Sequence, residues 1–294
     1  MTDRVSYIGL GRMGAAMVKR MCQNGAPPMI WNRDTAKAVP LAALGCTVAK
    51  TPQELAAASN IILMCVHDAT AVEQVLFGPA GVAQVPRGSR IVVDMSTIGP
   101  VATKALATRL HDACGAAWVD APVSGGVPGA ERGTLIVMAG GAAADVARVE
   151  PVLKRVAERI THVGDVGAGQ AVKAINQLIV GGYAAIVAEA MSLAERHGID
   201  IAKLPDVLKG GLADSNILQG QGRRMAAREL ERGGSAGIMI KDLDIAGSMA
   251  SAVSHALPVG SLVSQLYRLQ ATVGYDAYGM IGLMRLFRGE RAGK

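Results

Sequence analysis

GAGQAVKAINQLIVGGYAAIVAEAMSLAERHG, residues 167–198, opens on a glycine-rich turn and then continues without proline. Its Ala, Leu, Met, Glu and Gln content favours helix. A helix of about eight turns would run roughly 43 Å at 1.5 Å per residue. Gly198, after Arg196 and His197, is a stop signal with basic residues at the favourable end of the helix dipole. Lys173, Asn176 and Gln177 interrupt an otherwise apolar start at i, i+3 and i+4, so they share one face. A solvated polar stripe is the plain reading. The flanks Ala171, Val172, Ala174, Ile175, Leu178, Ile179 and Val180 point instead to partial burial of Lys173, which lowers a lysine pKa and suits it to proton transfer. Gly181, Gly182, Glu189 and Lys173 argue against a membrane span.

At 294 residues, 50% of them hydrophobic, the chain is long enough for two domains with substantial cores. With aromatics at 3%, those cores must be aliphatic and the means of stacking nucleic-acid bases is scarce. The net charge of +6 suits an anionic ligand, while the basic residues are scattered and Arg285, Arg288, Arg291 and Lys294 read as a solvated tail. Cys22, Cys46, Cys65 and Cys114 form no CxxC and read as small buried hydrophobes in a reducing cytoplasm. The histidines are dispersed, so no metal site is expected, and the first residues carry no signal-peptide pattern.

The N-terminal half alternates strand and helix patterns. Arg4–Leu10 is a buried strand that runs into Gly9-Leu10-Gly11-Arg12-Met13-Gly14, followed by the helical pattern Met13–Asn24. The three glycines do different things. Gly9 allows the tight turn, Gly11 lets the backbone approach a pyrophosphate, and Gly14 permits close helix–strand packing. Free N–H groups at the helix start would face the phosphates. The second strand ends in Asn32-Arg33-Asp34-Thr35. A carboxylate at the strand end would hold the ribose hydroxyls of NAD, whereas an arginine binds a 2′-phosphate. NADP is therefore the expected cofactor, held by Arg33 with Asn32 and Thr35, with NAD possible if Asp34 takes the ribose; the bland reading makes Asp34 or Thr35 a helix cap. Thr51-Pro52-Gln53-Glu54 is a helix start with a capping glutamate, and Asn60–Val66 is a central strand. In a doubly wound sheet the strand C-termini face the ligand, which puts Cys65, Val66 and Thr97 beside the nicotinamide, although Thr97 also reads as a helix cap. Asp120–Gly126, DAPVSGG, is a loop able to present Ser124, Gly125 and Gly126 to an anion, or simply a turn. Ala142–Arg159 is helical. β signals stop after Gly164; helical patterns follow at 201–210, 217–231, 239–254, 259–272 and 279–288. The expected domains are 1–164, α/β, and 165–294, all-α.

GLGRMG (9–14), DAPVSGG (120–126), GAGQAVKAINQ (167–177) and KDLDIA (241–246) together resemble, in order and spacing, the β-hydroxyacid dehydrogenase family, the 3-hydroxyisobutyrate dehydrogenase group. The resemblance covers nearly the whole chain. It implies a Rossmann-type doubly wound sheet and an all-α C-terminal domain joined by a long interdomain helix, usually as homodimers or homotetramers. It makes Lys173 the catalytic lysine, gives Asn176 and Gln177 to orientation, and gives the substrate carboxylate to Ser124, Gly125 and Gly126. Lys241, near the cofactor, and Asp242 close the site. The Asn176-Gln177 pair and Lys209–Ser215 look more like the tartronate semialdehyde reductases, with Asp214 departing from their usual small residue. The expected reaction interconverts a small 3-hydroxy acid and its semialdehyde. The alternatives are 3-hydroxyisobutyrate, glyoxylate or succinic semialdehyde as substrate, an imine reductase of the same fold, and a non-catalytic NADP-binding protein.

Overall fold

The computed structural model describes residues 3–229 and 234–290. The chain divides into two compact units, Met1–Lys173 and Ala174–Lys294. The division falls later than the end of the β pattern at Gly164, because the first turn of the long helix is hydrogen-bonded back into the first unit.

The first unit contains strands β1 (Val5–Ile8), β2 (Met29–Trp31), β3 (Thr47–Val48), β4 (Ile61–Met64), β5 (Ile91–Asp94), β6 (Ala117–Asp120), β7 (Val123–Ser124), β8 (Leu135–Gly140) and β9 (Ala157–Gly164). Its helices are α1 (Arg12–Gln23), α2 (Val39–Ala42), α3 (Pro52–Ala58), α4 (Ala69–Phe77), α5 (Pro100–Cys114), α6 (Gly126–Arg132) and α7 (Ala143–Leu153), followed by the start of α8 (Ala168–Arg196). The sheet order is β3-β2-β1-β4-β5-β6-β8-β7, with β9 on β8. The strands from β3 to β6 are parallel, and β8 runs antiparallel to β6 and β7.

Strand periodicity explains the two-faced core. Tyr7, Ile61, Leu63, Ile91, Val93 and Val119 point to one face, where α1 and α7 contribute Met17, Val18, Met21, Val149 and Leu153. Their neighbours Ile8, Ile62, Met64, Val92 and Trp118 point to the other, against Leu55, Val72, Leu76, Leu106 and Leu110 of α3, α4 and α5. A sheet buried on both faces needs such continuous apolar strands. Register brings Trp31 opposite Ile8, Ile8 opposite Met64, Met64 opposite Asp94, and Asp94 opposite Asp120. Five parallel strands thus end at one level, and their outgoing loops share one edge of the sheet.

The second unit holds the rest of α8 with α9 (Leu204–Val207), α10 (Arg223–Ala226), α11 (Ala236–Ala252), α12 (Pro258–Thr272) and α13 (Gly282–Arg288). Its core joins Ala185, Ala188 and Met191 of α8 to Leu243, Val263, Tyr267, Leu283 and Met284. Among the described residues α8 is the one helix long and apolar enough to cross a membrane by length and composition.

Local differences from the sequence pattern have simple causes. The pattern 142–159 stops at Leu153, because Ala157 already pairs with Leu135 in the sheet. DAPVSGG is not all loop: Val123–Ser124 pairs with β8 and Gly126 starts α6, with Pro128 tolerated in the first turn. The pattern 217–231 is broken into a π turn at Leu218–Gly222 and α10, where Gly220 and Gly222 weaken the helix. Glu231, Arg291 and Lys294 lie outside the described residues. The start at Thr51 has the expected form: Thr51 Oγ1 accepts from Glu54 N and Glu54 Oε2 accepts from Lys50 N.

The start of α8 depends on Asp120. Its Oδ1 accepts from Gly167 N at 2.7 Å and its Oδ2 from Gln170 N at 2.9 Å, inside the protein. Burial pushes this carboxyl above its ordinary value, against the opposing effect of the backbone hydrogen bonds. The folded state therefore binds the proton more tightly than the unfolded chain. Asp120 favours folding at acid pH and loses that contribution as pH rises through its folded value. Asp120→Asn, which turns an N–H toward an N–H, is expected to cost about 2 kcal/mol in urea unfolding. The gap from wild type should narrow as pH rises above the ordinary carboxylate range.

Candidate active site

The loop after β1 is built from its glycines. Gly9 has φ +95°, and a Cβ there would overlap the carbonyl of Cys65. A Cβ on Gly14 would overlap the carbonyl oxygen of Gly9, so α1 can lie against the turn only with glycine at that position. Gly11 differs: an added Cβ would meet nothing within 4 Å. It is the N-cap of α1, with no side-chain cap, and no acidic residue stands in the first turn. An open cradle at a helix N-terminus fits a pyrophosphate. Leu10 is buried, Met13 half-buried and Arg12 exposed.

Asn32 proves to be part of this turn. Its Oδ1 accepts from Leu10 N at 2.8 Å and its Nδ2 donates to Asp34 O at 2.8 Å, while Gly9 N donates to Trp31 O. The side chain expected at a 2′-phosphate braces β2 against the glycine loop. Asp34 caps the following turn, Thr35–Ala38, by accepting from Ala36 N. This is the helix-cap alternative, with Asp34 exposed. Arg33 and Thr35 are exposed.

The ends of β4 and β5 are tied together. Val66 N donates to Ser96 Oγ at 2.9 Å, and Ser96 N donates to Asp94 Oδ1 at 3.0 Å. Cys65, Val66 and Thr97 are half-buried on these adjoining loops. Gln170, in the first turn of α8, extends the network: its Oε1 accepts from Ile98 N at 3.1 Å and its Nε2 donates to Ser96 O at 2.7 Å. Sequence reasoning gives Gln170 no role. The available signal is a glutamine next to the glycines of GAGQ, where a buried helix start needs a long bifunctional side chain. Lys173 follows three residues later, on the face that Gln170 turns to the Ser96–Gly99 loop. It is 8% exposed. Ser124 is half-buried, and Gly125 and Gly126 are exposed with φ +124° and +61°.

In the second unit, Asn176 Nδ2 donates to Gln177 Oε1 at 2.9 Å, and Gln177 Nε2 donates to Asp242 Oδ2 at 2.7 Å. Asp242 is buried, and Lys241 Nζ stands 2.9 Å from its Oδ1. The polar pair on α8 and the KD pair on α11 thus form one chain of contacts. Asp214 also serves the local structure. It accepts from Gly210 N at 2.8 Å and Gln219 Nε2 at 2.7 Å, and these bonds hold its carboxyl below the usual range.

The open parallel sheet and its glycine turn define a dinucleotide-binding unit, and comparisons with known proteins narrow the class. The family profile described as the NAD binding domain of 6-phosphogluconate dehydrogenase matches residues 4–164. That described as NAD-binding of NADP-dependent 3-hydroxyisobutyrate dehydrogenase matches residues 167–287. The chain is 35% identical to 2-hydroxy-3-oxopropionate reductase of Escherichia coli (strain K12), over 92% of each chain. It is 31% identical to 3-hydroxyisobutyrate dehydrogenase of Pseudomonas aeruginosa, over 99% of this chain and 100% of the relative. The crystal structure of 3-hydroxyisobutyrate dehydrogenase from Salmonella typhimurium superposes with a TM-score of 0.87 at 30% identity, covering 97% of this chain and 100% of that one. The chain belongs to the β-hydroxyacid dehydrogenase family, among the 3-hydroxyisobutyrate dehydrogenase-like oxidoreductases that use a nicotinamide cofactor.

The glycine turn gives a paired test. Gly11→Ala should fold with a thermal midpoint near that of the wild type yet bind the cofactor at least about tenfold more weakly, the equivalent of roughly 1.4 kcal/mol. Gly14→Ala should lose several kcal/mol of stability, by the order of about 1–3 kcal/mol or more that overpacking costs. Thermal unfolding and fluorescence titration separate the two.

Proposed function

We propose that the protein is an NADP-preferring reductase of small 3-hydroxy-acid semialdehydes, with 2-hydroxy-3-oxopropionate (tartronate semialdehyde) as the leading substrate. The burial of Lys173 on a helix start locked by Asp120 and Gln170 is the observation that carries this reading. Burying an ammonium is costly, and proton transfer to a carbonyl oxygen is the role that the family resemblance assigns to that position. The identity to the Escherichia coli reductase and the Asn176-Gln177 pair support the choice of substrate.

Gly9–Gly14 would hold the pyrophosphate, Arg33, Asn32 and Thr35 the 2′-phosphate, and Cys65, Val66 and Thr97 the nicotinamide end, and the family resemblance gives Lys241 to the cofactor as well. When bound, the nicotinamide supplies the hydride in reduction and accepts it in oxidation. Ser124, Gly125 and Gly126 fix the substrate carboxylate through hydroxyl and backbone N–H groups. Protonated Lys173 delivers its proton to the substrate oxygen as negative charge develops there, and the neutral amine takes it back in the reverse direction. Asn176 and Gln177, steadied by Asp242, orient substrate and lysine. The exposure of Arg33 at the end of β2 supports NADP over NAD.

Lys173→Ala should lower kcat by about 10²–10⁴-fold with NADPH affinity nearly unchanged. Lys173→Arg should not restore activity, since arginine keeps its proton. Wild-type kcat after either change would overturn the role. Arg33→Ala should raise KM for NADPH about tenfold with little effect on NADH, on the scale of one charge-assisted pair. A screen of tartronate semialdehyde, succinic semialdehyde, glyoxylate and 3-hydroxyisobutyrate with both cofactors decides the substrate. Reduction of cyclic imines alone would make the protein an imine reductase, and tight NADPH binding without turnover would make it a non-catalytic binder.

A homo-oligomer is also proposed. Ile175, Ile179, Tyr183 and Ile186 form an exposed apolar row on one face of α8, which supports self-association. Ile186→Glu should lower the mass measured by light scattering, and an unchanged mass would exclude this row.

A further inference from the structure

Two thiols that the sequence keeps apart meet in space. Cys22 lies in the last turn of α1 and Cys46 just before β3. Their sulfurs stand 3.3 Å apart, within the core that holds Met21, Ile30, Ala38 and Leu41. Neither residue belongs to the site described above. Cys46 is buried and Cys22 half-buried, so a small oxidant reaches Cys22 first.

We infer that Cys22 and Cys46 form an oxidant-responsive dithiol, in which a hydroperoxide oxidises Cys22 and Cys46 then closes an intramolecular disulfide. In the first step the Cys22 sulfur attacks the peroxide: the O–O bond breaks, a sulfenic acid forms on Cys22, and the peroxide is reduced to an alcohol, or to water from hydrogen peroxide. In the second step the Cys46 sulfur attacks the Cys22 sulfur, the S–O bond breaks, and the Cys46 proton leaves with the hydroxyl as water. The two thiols together lose two electrons to the peroxide. A dithiol reductant returns two electrons and two protons.

The local chemistry supports this division of labour. Burial, then contact with Cys22, pushes the Cys46 thiol up to about 12, so Cys46 keeps its proton in the reduced pair. The Cys46 sulfur, already in contact with that of Cys22, is then the thiol placed to resolve the sulfenic acid. A disulfide needs its sulfurs at about 2.05 Å, so the pair must close by roughly 1.3 Å. The bridge encloses residues 22–46, a loop that contains β2 and Arg33.

The test treats the native protein with a small excess of hydrogen peroxide, then alkylates it in denaturant. The free-thiol count should fall from the four of the sequence by two. Tryptic peptides 21–33 and 38–50 should appear linked within one chain, and dithiothreitol should restore all thiols. In Cys46→Ala, dimedone should label Cys22 and no internal bridge should form. The inference is overturned if Cys22 and Cys46 remain alkylatable while Cys65 is oxidised, if Cys22 passes to the sulfinic acid without a bridge, or if the link joins two copies of the chain.

Discussion

The buried carboxylate of Asp120 under the first turn of α8 is the constraint on which the arrangement of the candidate site rests. A helix start leaves N–H groups without partners in the helix, and inside a protein each costs free energy unless matched. Gly167 and Gln170 give theirs to Asp120, which ends a strand held in register with β5. The position of the helix is therefore inherited from the sheet. The fit is tight: a Cβ on Gly169 would overlap the carbonyl oxygen of Met138, so the sequence places glycine where helix and strand touch. Desolvation of the carboxylate is the opposing cost, visible in its raised pKa.

From that anchor a second set of bonds fixes the loops. Gln170 spans Ser96 and Ile98, and Ser96 in turn receives the N–H of Val66. One buried amide thereby joins the ends of β4 and β5 to the helix that carries Lys173. Such a network fixes the backbone that carries the amine, which is the precision that the proton-donor role proposed for Lys173 requires.

Much of this was legible in the sequence because local physics leaves local marks. The glycine spacing at 9–14, the apolar run 60–66 and the capping glutamate at position 54 each announce an element by its own composition. The short strand at Val123–Ser124 and helix α6 left no such mark, since their pairing partners supply what their residues lack. The bonding partners of Asn32, Gln170 and Asp242 were hidden for a related reason. Each acts by bonding residues distant in sequence, and only the folded chain shows that Asn32 reaches Leu10, Gln170 reaches Ser96, or Asp242 reaches Gln177. The contact of Cys22 with Cys46 belongs to the same class, because no spacing rule connects a helix end to the start of an edge strand.

The level ends of the five parallel strands have a consequence for how such a protein diverges. Arg33 follows β2 and Ala121 follows β6, leading into the segment that carries Ser124, four strand steps away, or about 19 Å at 4.8 Å per step. Groups so far apart share no packing neighbours, so substitutions at the two loops combine additively. If the roles proposed for these loops hold, cofactor choice and substrate choice can drift independently along one ledge while the apolar strands beneath stay unchanged. A scaffold of this kind accumulates new pairings of reductant and acid without passing through an unfolded ancestor.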